Sequence, residues 1–186
     1  MKTRCAWVSD DPLYIAYHDE EWGVPVRDDE LLFEFLILET FQAGLSWITV
    51  LRKRENFRKA FDGFDYQRIA TYSEKKIQSL LQDAGIIRNK LKVRATITNA
   101  KAFIKIQEEF GSFSDYIWAF TDGKVIKNNW QKTTDAPAKT PLAEKISKDL
   151  KKRGFKFVGP TVIYAHMQAT GMVNDHTTDC FRYGEV

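Results

Sequence analysis

KKRGFKFVGPT, residues 151–161, is the stretch of this 186-residue chain that says most about its fold. In it, Gly154 and Gly159 bracket a short apolar turn that leads into a predicted helix near Thr161. Backbone N–H groups at a helix start attract an anion, and glycine lets the backbone approach a phosphate closely. Lys156 and its neighbouring lysines add attraction for a polyanion. This is the layout of a helix-hairpin-helix DNA-binding element, but a tight turn between two packed helices fits the same residues equally well.

The rest of the chain also has helical periodicity. Apolar residues recur three and four positions apart, and helices are predicted at 31–38 (capped by Asp28 or Asp29), 45–51, 73–85, 88–108, 113–120, 141–153 and 161–170. The polar stretch Thr121–Pro141 is predicted to be a loop, and the alternation typical of strands is scarce. The sequence therefore predicts an all-α fold, and we expect one domain over residues 1–186.

The charge is small in total but unevenly distributed. The formal net charge is +3, yet Ile86–Lys105 has six basic side chains and no acidic one. Such a cluster favours a polyanionic partner, although an ordinary solvated helix face has the same appearance. No apolar run approaches the length of about 18 residues that a membrane span needs, and the polar N-terminus does not look like a signal peptide. We expect a cytoplasmic protein with no membrane partner.

Four side chains suggest a metal site: Cys5, His18, His176 and Cys180. They include both cysteines of the chain, and a closed set of two thiolates and two imidazoles is the ligand type of structural zinc. The thirteen-residue separation of the first pair is not a familiar spacing, so two buried cysteines and two unrelated histidines remain the alternative. A reducing compartment argues against a disulfide between the cysteines. His166, in the middle of a helix, is expected to pack or to form a hydrogen bond.

The N-terminal third is rich in aromatic residues: Trp7, Tyr14, Tyr17, Trp22 and Trp47. Glu39 lies among them on an apolar helix. Aromatic faces can sandwich an extruded purine while a carboxylate binds its edge, and a cationic base would be attracted further. The alternative is a set of core aromatics with a surface glutamate.

Several stretches together resemble one family. They are RCAWVSDDPLYIAYHDEEWGVP (residues 4–25), QAGLSWITVLRKRENFRKAF (42–61), QDAGIIRNKLKV (82–93) and KKRGFKFVGPTVIYAHMQATGMVNDH (151–176), followed by Cys180. In this order they resemble the 3-methyladenine DNA glycosylase I family. The resemblance implies a helix-hairpin-helix glycosylase fold of two helical lobes, which binds a damaged base between them.

The resemblance also implies roles for individual residues. It implies a structural zinc ion at Cys5, His18, His176 and Cys180, joining the N- and C-terminal segments. It makes Glu39 the catalytic-site residue that recognises the methylated adenine, with Tyr17 and Trp47 stacking on it and Trp7, Tyr14 and Trp22 lining the pocket. The DNA contacts would come from Gly44, Leu45, Gly154, Lys156, Gly159 and Thr161.

The expected activity is hydrolysis of the N-glycosidic bond of 3-methyladenine in alkylated double-stranded DNA, with release of the free base by a monomeric enzyme. No lysine stands out as a Schiff-base nucleophile, so strand cleavage is not expected. Asp175 is not predicted to be catalytic, and support of the neighbouring zinc ligand His176 is its expected duty. Two alternatives are a lesion-binding protein that does not excise the base, and a zinc-stabilised helical regulator that binds DNA without base flipping.

Overall fold

The computed structural model describes all 186 residues and is mostly helical. Its ten α-helices are α1 (Pro12–Glu20), α2 (Asp29–Phe41), α3 (Trp47–Arg52), α4 (Arg54–Ala60), α5 (Tyr66–Ile69), α6 (Glu74–Gln82), α7 (Lys90–Phe110), α8 (Phe113–Trp118), α9 (Pro141–Lys152) and α10 (Pro160–Ala169). Four short 3-10 turns lie at Asp62–Phe64, Ala119–Thr121, Thr133–Asp135 and Phe181–Gly184. No helix has both the length and the apolar character needed to cross a membrane.

Helix α2 lies at the centre of the fold. Every residue from Leu32 to Phe41 is buried, as expected for a helix that is apolar on all sides and surrounded by other helices. It contacts α7, α8 and α10. The Asp28 carboxylate caps it, since Oδ1 accepts a hydrogen bond from the backbone N–H of Glu30 at 2.7 Å. Glu34 is a buried charged residue of α2, and its Oε1 pairs with Nε of Arg54 on α4 at 2.7 Å.

All seven predicted helices are present, with bounds that differ by a few residues. The predicted 88–108 helix is α7. It begins at Lys90 because Asn89 caps it, and it ends at Phe110 because the next residue, Gly111, has a φ of +90°. The helices α1, α4 and α5 were not predicted. Each is short and lacks a run of apolar residues on one face, which is the pattern that predicted the other helices.

The prediction of a loop over Thr121–Pro141 is wrong in part. Strand β1 (Ile126–Lys127) pairs in parallel with β2 (Val173–Asn174), with Ile126 opposite Val173. Two-residue strands cannot display an alternating pattern, and their partner lies far away in the sequence. Local sequence therefore could not predict this pairing.

The 151–161 segment forms a tight turn between α9 and α10. Gly154 and Phe157 have φ of +95° and +57°, so the chain reverses sharply. The buried Asn99 of α7 holds the turn: its Oδ1 accepts from Lys156 N at 2.8 Å and its Nδ2 donates to Lys156 O at 3.0 Å. Gly159 ends the turn as the N-cap of α10, and Thr161 is exposed in the first turn of that helix.

Candidate active site

A cavity of about 310 Å³ lies between the N-terminal residues, α2 and α10. It is lined by Trp7, Tyr14, Tyr17, Trp22, Glu39, Gln42, Trp47, Thr133, Ala136, Pro137, Ala165, Gln168 and Asp175. All six residues that the sequence analysis assigned to a base pocket are therefore in one place. The other seven were not predicted, although Asp175 had been noted for a different reason.

The aromatic side chains of this cavity support one another. Trp7 makes edge-to-face contacts with Tyr14 and Trp22, with ring centroids 5.1 and 5.0 Å apart. Tyr17 and Trp47 form a second pair at 5.7 Å with their planes inclined by 45°. Tyr17 is buried, and this burial raises the pKa of its phenol well above the ordinary value. The hydroxyl therefore stays neutral, and the cavity presents ring surfaces that suit a flat aromatic ligand.

Glu39 contributes a carboxyl group to the cavity. Its side chain is 4% exposed and forms no hydrogen bond within the protein. Burial raises the pKa of Glu39 to about 8, because no cation or donor compensates for the loss of water. A buried acid without a partner is costly to the fold. This cost is offset only when a ligand brings a positive charge or a hydrogen-bond donor.

Two further polar atoms of cavity residues have no partner. Trp47 Nε1 and Thr133 Oγ1 are buried, and neither forms a hydrogen bond within the protein. Native proteins satisfy most buried polar groups, and exceptions need an explanation. Together with Glu39, these atoms give the cavity unpartnered polar groups that could bind polar edges of a ligand.

A second cluster of side chains lies directly behind the cavity and consists of Cys5, His18, His176 and Cys180, which we call the Cys2His2 cluster. All four are buried, and their ligand atoms lie within 4.8 Å of one another. Cys180 Sγ is 3.5 Å from both His18 Nε2 and His176 Nδ1. Zinc–sulfur and zinc–nitrogen bonds of ordinary length in a tetrahedron separate S from N by about 3.6 Å. The cluster thus has the donor types and the spacing of a closed four-coordinate metal site.

The second nitrogen of each imidazole in the cluster faces an oxygen. His18 Nδ1 lies 2.8 Å from Asp19 Oδ1, and His176 Nε2 lies 3.0 Å from Trp22 O. Donation to these oxygens fixes the tautomer that leaves the other nitrogen free for a metal. Burial also lowers the pKa of His176 to about 4, so its ring is neutral at physiological pH, as a metal ligand must be.

The cluster and the cavity share a wall. The rings of Trp7 and His18 are 5.2 Å apart, and those of Trp22 and His176 are 4.7 Å apart. Any displacement of the two histidines would therefore move two tryptophans of the cavity.

Asp175 does not support the neighbouring His176, as had been expected. Its carboxylate instead accepts hydrogen bonds from Asn128, Trp130, Tyr164 and Gln168. The carboxylate forms no hydrogen bond with His176, because it lines the cavity while the His176 ring faces the cluster. The interpretation of His166 was right, since its buried ring lies 3.0 Å from Leu32 O.

The residues expected to contact DNA lie outside the cavity. Gly44 and Leu45 are exposed in the turn that follows α2, where Leu45 N donates to Gln42 O at 2.7 Å and Gly44 has a φ of +78°. This turn is attached to the same helix as Glu39. The α9–α10 turn carries the remaining candidates, and the lysines of α9 lie close to Pro160 at the start of α10.

Comparison with known proteins is consistent with this geometry. The sequence matches the family described as methyladenine glycosylase over residues 7–183. It is 49% identical over 180 residues to DNA-3-methyladenine glycosylase 1 of Escherichia coli K12, which covers 97% of this chain and 96% of that protein. A crystal structure of 3-methyladenine DNA glycosylase I superposes with a TM-score of 0.94, at 52% identity over 96% of this chain and 98% of the other. A tyrosine-to-phenylalanine variant of such an enzyme, in complex with 3-methyladenine, superposes with a TM-score of 0.93 at 35% identity over 96% of both chains.

Proposed function

The chain belongs to the methyladenine glycosylase family, and from this membership we propose that it excises 3-methyladenine from alkylated double-stranded DNA by hydrolysis of the N-glycosidic bond. It is thus a DNA repair enzyme that releases the free base. The observation that carries the proposal is Glu39, a buried carboxyl group without an internal partner, in an aromatic cavity. We propose this group as the recognition element for the damaged base.

The positive charge of the damaged base is the property by which the pocket would recognise it. Methylation at N3 makes the adenine of the nucleotide a cation, and ring faces attract a cation by about 0.5–2 kcal/mol per contact. An ionised Glu39 facing that cation recovers part of the desolvation cost that it pays in the empty cavity. Normal adenine offers no positive charge, so it leaves this cost uncompensated. Tyr17 and Trp47 would stack on the base, and Trp7, Tyr14 and Trp22 would complete the pocket.

The charge of the base also makes the reaction easier. The C1′–N9 bond breaks with its electron pair leaving on the base, which departs as neutral 3-methyladenine, and water adds to C1′ with loss of a proton. A cationic leaving group needs no strong general acid. The enzyme's main tasks are to extrude the nucleotide, which costs a few kcal/mol and less for a damaged base, and to orient it.

We propose that the enzyme does not cleave the DNA strand. Strand cleavage by glycosylases proceeds through a Schiff base, and no lysine lines the cavity. Reduction with borohydride during turnover is expected to trap no covalent protein–DNA adduct. A stable adduct would contradict this assignment.

The Cys2His2 cluster is proposed to hold a structural zinc ion. Its four protein ligands would leave no coordination position open, so the ion would supply cross-linking of the chain and no step of the reaction. The cluster joins residues near the N-terminus to residues near the C-terminus, and it packs against Trp7 and Trp22. Zinc would in this way stabilise one wall of the base pocket.

The DNA contacts are proposed to come from two turns. The α9–α10 turn, with Gly154, Lys156, Gly159 and Thr161, would act as a helix-hairpin-helix element that binds backbone phosphate at the start of α10. Gly44 and Leu45 would approach the gap that the extruded nucleotide leaves, and the 40% exposure of Leu45 supports such a contact. We propose that the chain acts as one domain, as a monomer and in the cytoplasm.

The test is release of free 3-methyladenine from methylated duplex DNA, measured for the native chain and for Glu39→Gln. Release by the native protein and loss of release in the variant, with unchanged circular dichroism, is the expected result. No release by folded, zinc-loaded native protein would refute the excision activity and favour the lesion-binding alternative. Unfolding of the variant would refute the pocket assignment.

A further inference from the structure

One wall of the cavity is formed by a segment for which the sequence offered no role. This wall segment, residues 126–137, is joined to residues 172–178 by backbone hydrogen bonds. Ile126 N donates to Met172 O at 2.9 Å, and Thr178 N donates to Trp130 O at 2.9 Å. Beyond Trp130 the segment turns, and its far end contributes Thr133, Ala136 and Pro137 to the cavity.

Asp175 is the side chain that ties the wall segment to the rest of the site. Its Oδ1 accepts hydrogen bonds from Asn128 Nδ2 at 2.6 Å and from Trp130 Nε1 at 2.9 Å, both on the wall segment. Its Oδ2 accepts from the Tyr164 hydroxyl and, at 2.9 Å, from Gln168 Nε2, both on α10. Asp175 is 5% exposed, so water does not compete strongly for these bonds.

The number of donors decides what this carboxylate can do. Two carboxylate oxygens offer about four lone-pair sites, and four donors occupy them. Asp175 therefore has no free lone pair with which to accept a proton or attack a sugar, although it lies at the edge of the cavity. Its contacts are those of a positioning residue, which fixes two elements relative to each other.

We propose that Asp175 holds the wall segment against α10, and that the wall segment thereby sets the largest base that the pocket accepts. The inference rests on the proposed function, since the base is taken to be an N3-alkylated adenine. A fixed wall discriminates by size, and one extra methylene against a packed hydrophobic surface changes binding by about 10-fold or more. A wall that can move away loses this discrimination while the opposite side, with Glu39 and Trp47, is unchanged.

The test removes the side-chain hydrogen bonds between the wall segment and Asp175, and it alters neither Asp175 nor any residue that lines the cavity. The double variant Asn128→Ala/Trp130→Phe removes both donors of the wall segment and keeps a large ring at 130. Binding of free 3-methyladenine and of free 3-ethyladenine is measured by titration calorimetry with zinc-loaded protein. Gln131→Ala is the matched control, because Gln131 lies on the same segment, is exposed and does not contact Asp175.

The readout is the ratio of the two dissociation constants, which a simple loss of folded protein would not change. We expect native protein and the control to prefer 3-methyladenine by about 10-fold, and the double variant to lose about threefold or more of that preference. An unchanged ratio in the folded variant would overturn the inference while leaving the proposed function intact. Native protein that binds neither base would overturn both. If the double variant does not fold, Trp130→Phe alone is measured, with the same expected direction.

Discussion

Glu39→Gln is expected to make the protein more stable while it removes base recognition. The acid has a pKa of about 8 in the folded chain, against 4.5 as its ordinary value. Between these two pH values the unfolded chain releases the proton while the folded chain keeps it. The free energy of unfolding of the native protein therefore falls as pH rises from about 4.5 to 8 and is flat outside this range.

The size of the stability change follows from the difference between the pKa values of Glu39 in the unfolded and folded chain. A shift of that size costs the folded native protein on the order of 1 kcal/mol at pH 5 and roughly 4 kcal/mol at pH 8. Glutamine has no proton to lose, so the difference in stability between the variant and the native protein should grow by about 3 kcal/mol between these pH values. This corresponds to roughly 6–12 °C in Tm for a chain of this size.

The assay is urea unfolding followed by circular dichroism at pH 5, 6, 7 and 8, with the metal content held constant. Glu20→Gln is the control, because Glu20 is exposed on α1 and makes no ion pair. Its stability relative to the native protein should not change with pH. A Glu39→Gln variant whose difference from the native protein is the same at pH 5 and pH 8 would refute the argument that Glu39 is uncompensated in the empty cavity.

Three other predictions address the reaction, the metal and the packing. The kcat/KM for excision should fall by about tenfold per pH unit below pH 8, because a protonated Glu39 cannot neutralise a cationic base. Any residual activity of Glu39→Gln should not show this decrease. Removal of the metal from the Cys2His2 cluster with a chelator should lower Tm by roughly 10 °C. Zinc should restore the Tm and magnesium should not, because the ligands are nitrogen and sulfur. An unchanged Tm after chelation would contradict a structural metal. Gly171→Ala should destabilise the fold by about 3 kcal/mol or more, because an added Cβ would lie 2.5 Å from the backbone of Val24 and Pro25. Gly63 has a similar φ but open space around it, so Gly63→Ala should cost only about 1 kcal/mol. Equal losses of stability in thermal melts of the two variants would contradict the steric argument.

The sequence was informative where a signal is local. Helical periodicity predicted the longer helices, and Asp28, one of the two cap candidates, is the N-cap of α2. The resemblance to a family identified the aromatic residues and Glu39, which the cavity brings together.

The missing parts of the prediction depend on contacts between distant residues. The wall segment has no apolar periodicity, and its position depends on pairing with residues almost fifty positions later. The role of Asp175 could not be read from its neighbour His176, because it depends on four donors from two other segments. The raised pKa of Glu39 likewise depends on what surrounds it, since its sequence neighbours do not reveal that it lacks a partner.

The cavity has a consequence for protein synthesis. Its aromatic half comes from residues 7–47, whereas Ala165, Gln168 and Asp175, with the histidine behind Trp22, follow about 120 residues later. At ordinary rates of translation this delay is roughly 6–24 s, during which the early aromatics have only one another as partners. Until residues 165–176 have been synthesised, the cavity therefore lacks the side that α10 and Asp175 supply, and base binding is expected to begin only when synthesis is almost finished.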